Sequence, residues 1–169
     1  MFKMLLTGIV CLAAAFGQEV QFDYNRSANF GAYKTYQWNE QSSGKAPNQL
    51  MDQNIRRAID AQMVLKGFQL VESGADVQVA YQAAVDQEKR FDAFGTGPRF
   101  YGTGSVTTST IEIGKLAVEI YDPETRQIVW RCAAAKTLDI KKDPEKNFQN
   151  LQKTVAKMFK NYPPGSPAK

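Results

Sequence analysis

Seventeen carboxylates and two cysteines are the reactive side chains that this sequence offers, and it contains no histidine. Imidazole is the commonest general base, the usual activator of a serine or cysteine nucleophile and a frequent zinc ligand. Without it, Ser/His/Asp and Cys/His arrangements and His-bearing zinc sites cannot be assembled. What survives is chemistry run by two acids, as in glycoside hydrolysis, where one carboxyl protonates the leaving oxygen and the other activates water or attacks. The candidates are Asp23, Asp76, Glu112, Glu119 and Asp122. Each also has a plainer use: Asp122 makes a turn, Asp76 precedes a strand, and Glu119 points outward between Val118 and Ile120. Cys132, in the run Ile128-Val129-Trp130-Arg131-Cys132-Ala133, reads as a small apolar strand residue, with no imidazole to turn it into a nucleophile. The expectation is a protein with no catalytic residue, no metal and no cofactor.

Three surface features remain. Gly95-Thr96-Gly97 and Gly102-Thr103-Gly104 lack both the continuation into a helix and the Lys-Ser/Thr of a phosphate cradle, so they read as a flexible hairpin tip. Between residues 87 and 105 no strand or helix period is visible, yet Phe91, Phe94, Phe100 and Tyr101 stand there beside Lys89, Arg90 and Arg99. Either these aromatics fold back over the sheet, or they present a sticky surface to a partner protein, a glycan or a lipid headgroup. Phe91, Phe94, Arg99, Phe100 and Tyr101 are therefore the candidate binding residues. Lys141, Lys142, Lys146, Lys153, Lys157 and Lys160 give the last helix region a basic surface, which suits anionic lipid or cell-wall phosphate or simply a solvated helix face. A net charge of +4 is modest for a nucleic-acid binder, and none is expected here.

Two strands, a helix, several strands and a second helix must position these groups. Residues 18–24 alternate, with Val20, Phe22 and Tyr24 on one face, and Tyr33 to Trp38 is a short aromatic strand. Pro47 suits the first turn of a helix reaching about Lys66, with Met51, Ile55, Ala58, Ile59, Gln62 and Leu65 along its stripe and Gly67 to end it. Asp52, Arg56 and Asp60, four apart, read as solvated charges pairing in series. Strands follow at 76–85, 106–113, 115–121 and 127–138, the last two joined by the turn Asp122-Pro123-Glu124-Thr125. Asp143-Pro144-Glu145 caps a helix carrying Phe148, Leu151, Val155, Met158 and Phe159 on its apolar stripe, which Tyr162-Pro163-Pro164-Gly165 stops. The predicted fold is α+β, a single two-layer domain with a mainly antiparallel sheet and two helices on one face, spanning 18–164 with a loose tail at 165–169.

Lys3, the apolar stretch Met4 to Ala15 and the small residues Ala15 and Gly17 have the form of a secretory signal peptide over residues 1–17, too short to be a membrane span. Cys11 raises the rival of lipoprotein processing, but Gly8 and Val10 stand where Leu and a small residue belong. After cleavage the chain carries no transmembrane span and should be exported to the periplasm or envelope.

Several segments in order resemble one family: Phe22-Asp23-Tyr24, residues 29–38, Lys66-Gly67-Phe68, residues 75–81, residues 114–120, Ile128-Val129-Trp130-Arg131 and Tyr162-Pro163-Pro164. Together they are similar to the small exported bacterial proteins called domain of unknown function 4136. The resemblance implies an envelope or periplasmic location, often a lipid anchor, and no reaction or cofactor. The leading expectation is thus a non-catalytic envelope domain that binds or builds, and the alternative is a carboxylate-dependent hydrolase of envelope polysaccharide.

Overall fold

Both helices begin and end on local chemistry that the sequence spells out. A computed structural model describes residues 19–40, 46, 48–94, 105–138 and 143–164, with 19, 90–94 and 105–108 described by their backbone. Helix α1 (Gln49–Leu65) starts one residue after Asn48, whose side chain accepts the Met51 amide at 2.9 Å. It therefore starts past Pro47, which is expected in its first turn and itself lies outside the described residues. It ends as expected at Gly67, where a φ of 85° lets the Phe68 amide reach the Met63 carbonyl and the Gly67 amide the Val64 carbonyl. Helix α2 (Pro144–Met158) has Asp143 accepting the Glu145 amide at 2.9 Å and proline in its first turn, and continues as a 3-10 turn over Phe159–Asn161.

The strands are β1 (Glu19–Tyr24), β2 (Thr35–Trp38), β3 (Gln69–Leu70), β4 (Val77–Phe94), β5 (Ser105–Tyr121) and β6 (Ile128–Leu138). They form one open sheet in the order β1-β6-β5-β4-β2-β3. The β1-β6-β5-β4 part is antiparallel, and β2 runs parallel to both β3 and β4, so the sheet is mixed and β2-α1-β4 is a crossover unit. Asp76 ties the parallel pair together: its carboxylate accepts the Lys34 and Thr35 amides, both at 2.8 Å, and the Thr35 hydroxyl at 2.9 Å.

The largest departure from expectation is the β4–β5 hairpin. β4 does not stop at Val85, residues 87–94 are not a loop, and Gly114 does not divide β5; pairing is continuous from Gln78↔Tyr121 to Phe94↔Ser105. Strand pairing needs only backbone partners, so it persists where the helices no longer cover the sheet and the side-chain pattern has no reason to alternate. The β5–β6 turn is as expected: Asp122 accepts the Glu124 and Thr125 amides at 2.8 and 3.1 Å, and Arg126 takes the left-handed φ of 57° that closes it.

Both helices cover one face. Ile55, Ala58, Ile59 and Met63 of α1, with Thr154, Val155 and Met158 of α2, are buried against Val77, Val79, Tyr81, Val118, Ile120, Trp130 and Cys132 of the sheet. The stripe on α1 turns at Met63, fully buried, rather than at Leu65, which is 75% exposed. At the C-terminal ends of the helices the core becomes aromatic: the Tyr162 ring lies 5.1 Å from Trp130 and 5.9 Å from each of Phe159, Phe68 and Phe30.

Candidate functional site

Moving along the helix-covered face from that aromatic end, the sheet residues shrink. The row Ile120–Trp130 gives way to Ala83–Leu116–Ala134 and then to Val85–Gly114–Lys136. The N-terminal halves of α1 and α2 pass over these rows and leave a cleft of about 580 Å³. Met51, Ile55, Phe148 and Leu151 form its helical walls, and Leu50, Val85 and Leu138 stand exposed at its rim. These are three of the nine large apolar side chains exposed among the described residues, so the rim concentrates surface that water disfavours. Arg57 of α1 lies over the Phe148 ring of α2, 5.3 Å from its centroid, and ties the two walls together. The polar lining is Asn48, Asn54, Asn147, Asn150 and Thr154 from the helices, with Glu112, Lys115, Lys136 and Thr137 from the strands. An apolar hollow of this size with a few converging polar groups has the character of a small-molecule site.

Lys136 is the unusual member. In β6 the helix-facing positions run Trp130, Cys132, Ala134, Lys136 and Leu138, so a cation occupies a place where the alternation calls for an apolar residue. Its side chain is half-buried.

A second polar cluster lines the β2 flank. The Tyr36 hydroxyl and the Trp38 indole both donate to one oxygen of Asp60, at 2.6 and 3.1 Å. The Tyr81 hydroxyl donates to Asp52, whose other partner Arg56 also forks onto Glu40 with two bonds of 2.8 Å and lies 4.8 Å from the Trp38 ring centroid. The Asp52–Arg56 pair is the expected one, but Asp60 is no solvated charge: it anchors α1 to β2. The Tyr81 hydroxyl holds the Asp52 carboxyl below its usual acidity range, and the Arg56 guanidinium does the same for Glu40. Burial, then the Asp60 contact, pushes the Tyr36 hydroxyl well up.

The carboxylates singled out in the sequence each have a holder. Asp23 accepts the Tyr24 amide, Asp76 the β2 start, Asp122 its turn, and Glu112 the Gln87 amide group at 3.5 Å. Glu119 is buried, contrary to expectation: it stands on the face without helices, where Tyr121 donates to it at 2.6 Å and Arg131 pairs with it at 3.2 Å. Backbone amides and the Thr35 hydroxyl hold the Asp76 carboxyl below its ordinary range. Cys132 is fully buried, as expected, and burial pushes its thiol up to about 11. Among the described residues no group of three His, Cys, Asp or Glu side chains has the arrangement of a metal site. Of the expected binding residues, Phe91 and Phe94 are strand positions of β4 opposite Thr108 and Ser105, while Arg99, Phe100 and Tyr101 lie outside the described residues, as do 1–18 with Cys11, both glycine pairs, Lys141, Lys142 and 165–169. Lys146, Lys153 and Lys157 are exposed on α2 and Lys160 on the 3-10 turn that follows it. Sequence reading missed the cleft; its signal was the run of small or charged residues, Ala83, Gly114, Ala134 and Lys136, on strands whose earlier inward positions are large.

Sheet order, crossover and one-sided helix layer define an open-faced α+β sandwich with a ligand-sized hollow at one end of its covered face. The chain belongs to the family described as domain of unknown function (DUF4136), whose model matches residues 20–164. Among solved structures it is similar to a DUF4136 family protein from Bacteroides thetaiotaomicron, at 14% identity and a TM-score of 0.53, covering 86% of this chain and 96% of that one. PelC from Paraburkholderia phytofirmans, crystallised as a dodecamer, matches at 10% identity and a TM-score of 0.53, over 85% of this chain and 95% of that one. A PDZ domain protein from Parabacteroides distasonis matches at 13% identity and a TM-score of 0.56 over 89% of this chain, which spans 36% of that longer protein. At these identities the likeness is one of fold. No curated protein matches the sequence. Among the described residues no helix is long and apolar enough to cross a membrane.

Proposed function

We propose that this chain is a non-catalytic exported domain of the cell envelope that works by binding, and that the cleft between the N-terminal halves of α1 and α2 is its ligand seat. The observation that carries the reading is the 580 Å³ hollow itself, floored by Ala83, Leu116 and Ala134 and rimmed by exposed apolar side chains. The apolar leader at the N-terminus supports export, and membership of the family is in keeping with it. The polysaccharide-hydrolase alternative finds no support in the acidity of the carboxylates. Among the described residues, those that are displaced, Glu40, Asp52 and Asp76, are all displaced downward, whereas a general acid must hold its proton near neutral pH.

Fluorescence titration with the uncharged probe N-phenylnaphthylamine tests the seat. The parent chain is expected to bind the probe saturably, and Ala134→Leu, which extends a side chain into the hollow, to weaken binding about tenfold or more while far-ultraviolet circular dichroism stays native. Equal binding by parent and variant would remove the cleft from the account.

A further inference from the structure

The two edges of the open sheet are unlike, and the longer one is built to meet a copy of itself. β3 closes one side with the two residues Gln69–Leu70, whereas β1 lays the six residues Glu19–Tyr24 along the other, with no proline or lysine among them to discourage a neighbouring chain. We propose that β1 is a self-association edge: two copies of this chain join β1 to β1, antiparallel about a two-fold axis at Phe22, into one continuous sheet.

Backbone direction comes first. The Asn25 amide bonds the Val129 carbonyl of β6, and along a strand successive residues turn their N–H and C=O to opposite sides. Gln21 and Asp23 therefore direct their backbone groups to β6, while Val20, Phe22 and Tyr24 direct theirs outward. Among the described residues no strand meets them there. The Tyr24 amide has a local substitute in the exposed Asp23 carboxylate at 2.8 Å, which pairing exchanges for a carbonyl. On the helix side of β1, Phe22 and Tyr24 are 43% and 37% exposed, with their rings stacked 6.5 Å apart. Aromatic surface left in water on an edge strand is what a cross-strand neighbour covers.

The side chains then choose the partner and the register. Turned about Phe22, the strand sets Phe22 opposite Phe22 and Val20 opposite Tyr24 on the helix side, and Gln21 opposite Asp23 on the other, so apolar meets apolar and no acid meets an acid. The outward backbone groups coincide in the same register, giving hydrogen-bonded pairs at Val20, Phe22 and Tyr24 with two bonds each. Moving the axis to Gln21 places Glu19 opposite Asp23, and moving it to Asp23 places that acid opposite its own copy, like-charge pairs that a sheet disfavours. The cation in register with Asp23, Arg131 of β6, is engaged with Glu119 and does not relieve them. An axis between residues fails for another reason, since it sets outward backbone groups against inward ones. A strand from another protein would share the backbone part of this match alone; the palindromic side-chain pattern commits the edge to a second copy.

Sedimentation velocity over a dilution series of the purified chain, with circular dichroism to check folding, tests this. The parent should pass from monomer to dimer as concentration rises. Phe22→Lys and Phe22→Glu each set like charges against each other at the axis and should raise the dissociation constant about tenfold or more, while an equimolar mixture of the two sets Lys against Glu and should restore the dimer. Restoration belongs to a two-fold at residue 22, because a contact of Phe22 with any other residue gains nothing from mixing. A parent that stays monomeric throughout, association that both variants leave intact, or a mixture no better than its components overturns the proposal. Should the charged variants fail to fold, Phe22→Pro removes an outward amide and no bond to β6, and a dimer that survives it overturns the proposal equally.

Discussion

One helix-covered face has two ends built by opposite rules. At the C-terminal end of the helices, Trp130, Phe159, Tyr162, Phe68 and Phe30 close ring on ring with centroids 5.1 to 5.9 Å apart. At the N-terminal end the same strands present Ala83, Gly114 and Ala134, and the same helices leave a hollow. The backbone scaffold is shared, and the open end carries the smaller Ala83 and Ala134 where the packed end carries rings. Native domains hold only about 5–15 kcal/mol of net stability, and the ring cluster contributes to it at one end of the covered face.

The comparison breaks hardest under truncation. Phe159 is fully buried, so Phe159→Ala should cost about 3–5 kcal/mol in urea denaturation. Leu151 is half-buried on the cleft wall, and Leu151→Ala should cost about 1–2 kcal/mol, since less of its surface leaves water on folding and its neighbourhood is already slack. Equal costs would mean that the hollow is closed in solution and that the two ends are packed alike.

The packed end was legible in the sequence and the vacant end was not, for one reason. Period-two alternation exists only where one face of a strand is buried, so Val77, Val79 and Tyr81, or Val118 and Ile120, announce themselves, as do the caps Asp143 and Gly67. Past Val85 the hairpin leaves the helices, residues 87–89 are exposed, and the segment from residue 87 reads as loop although its backbone stays paired to β5 as far as Phe94. Gly114 looked like a break because glycine is poor in strands; in place it faces Leu138, whose Cδ2 would sit 2.9 Å from an added Cβ. A cavity is an absence of volume, and no single residue type marks it. The Asp52, Arg56 and Asp60 spacing was read as helix-surface pairing because that is all a helical wheel knows; β2 beside it, with Tyr36 and Trp38, is a tertiary fact.

That polar flank gives the next prediction and marks a third rule, stability from satisfied donors. Asp60→Ala would leave the buried Tyr36 hydroxyl and the Trp38 indole without their shared acceptor and should cost about 1–3 kcal/mol, read by thermal unfolding. A loss confined to a few tenths of a kcal/mol, as for a surface charge, would return Asp60 to the solvent-facing role that its spacing alone suggests.

The smallest change is the sharpest probe of the packed end. Among the described residues the Tyr162 hydroxyl and the Trp130 indole N–H are buried with no hydrogen-bond partner, so the aromatic cluster is not ideal everywhere. Removing an unpaired buried hydroxyl returns its desolvation cost, and Tyr162→Phe keeps the ring, so the variant should gain about 1 kcal/mol at neutral pH. Burial first, and Tyr33 second, pushes the Tyr162 hydroxyl well above its ordinary 10.0. A group whose pKa is raised by folding contributes fully below its unfolded value and loses that contribution as pH rises through the folded one. The parent should therefore lose stability above about pH 10, where the unfolded tyrosine ionises and the folded one cannot, a loss to which Tyr36, Tyr81 and Tyr121 add. Tyr162→Phe deletes one of these contributions, so the gap between variant and parent should widen from pH 9 to pH 11 in denaturant titrations. A gap that stays constant would mean that the hydroxyl reaches water in solution, and then the aromatic end would be looser than its ring geometry implies.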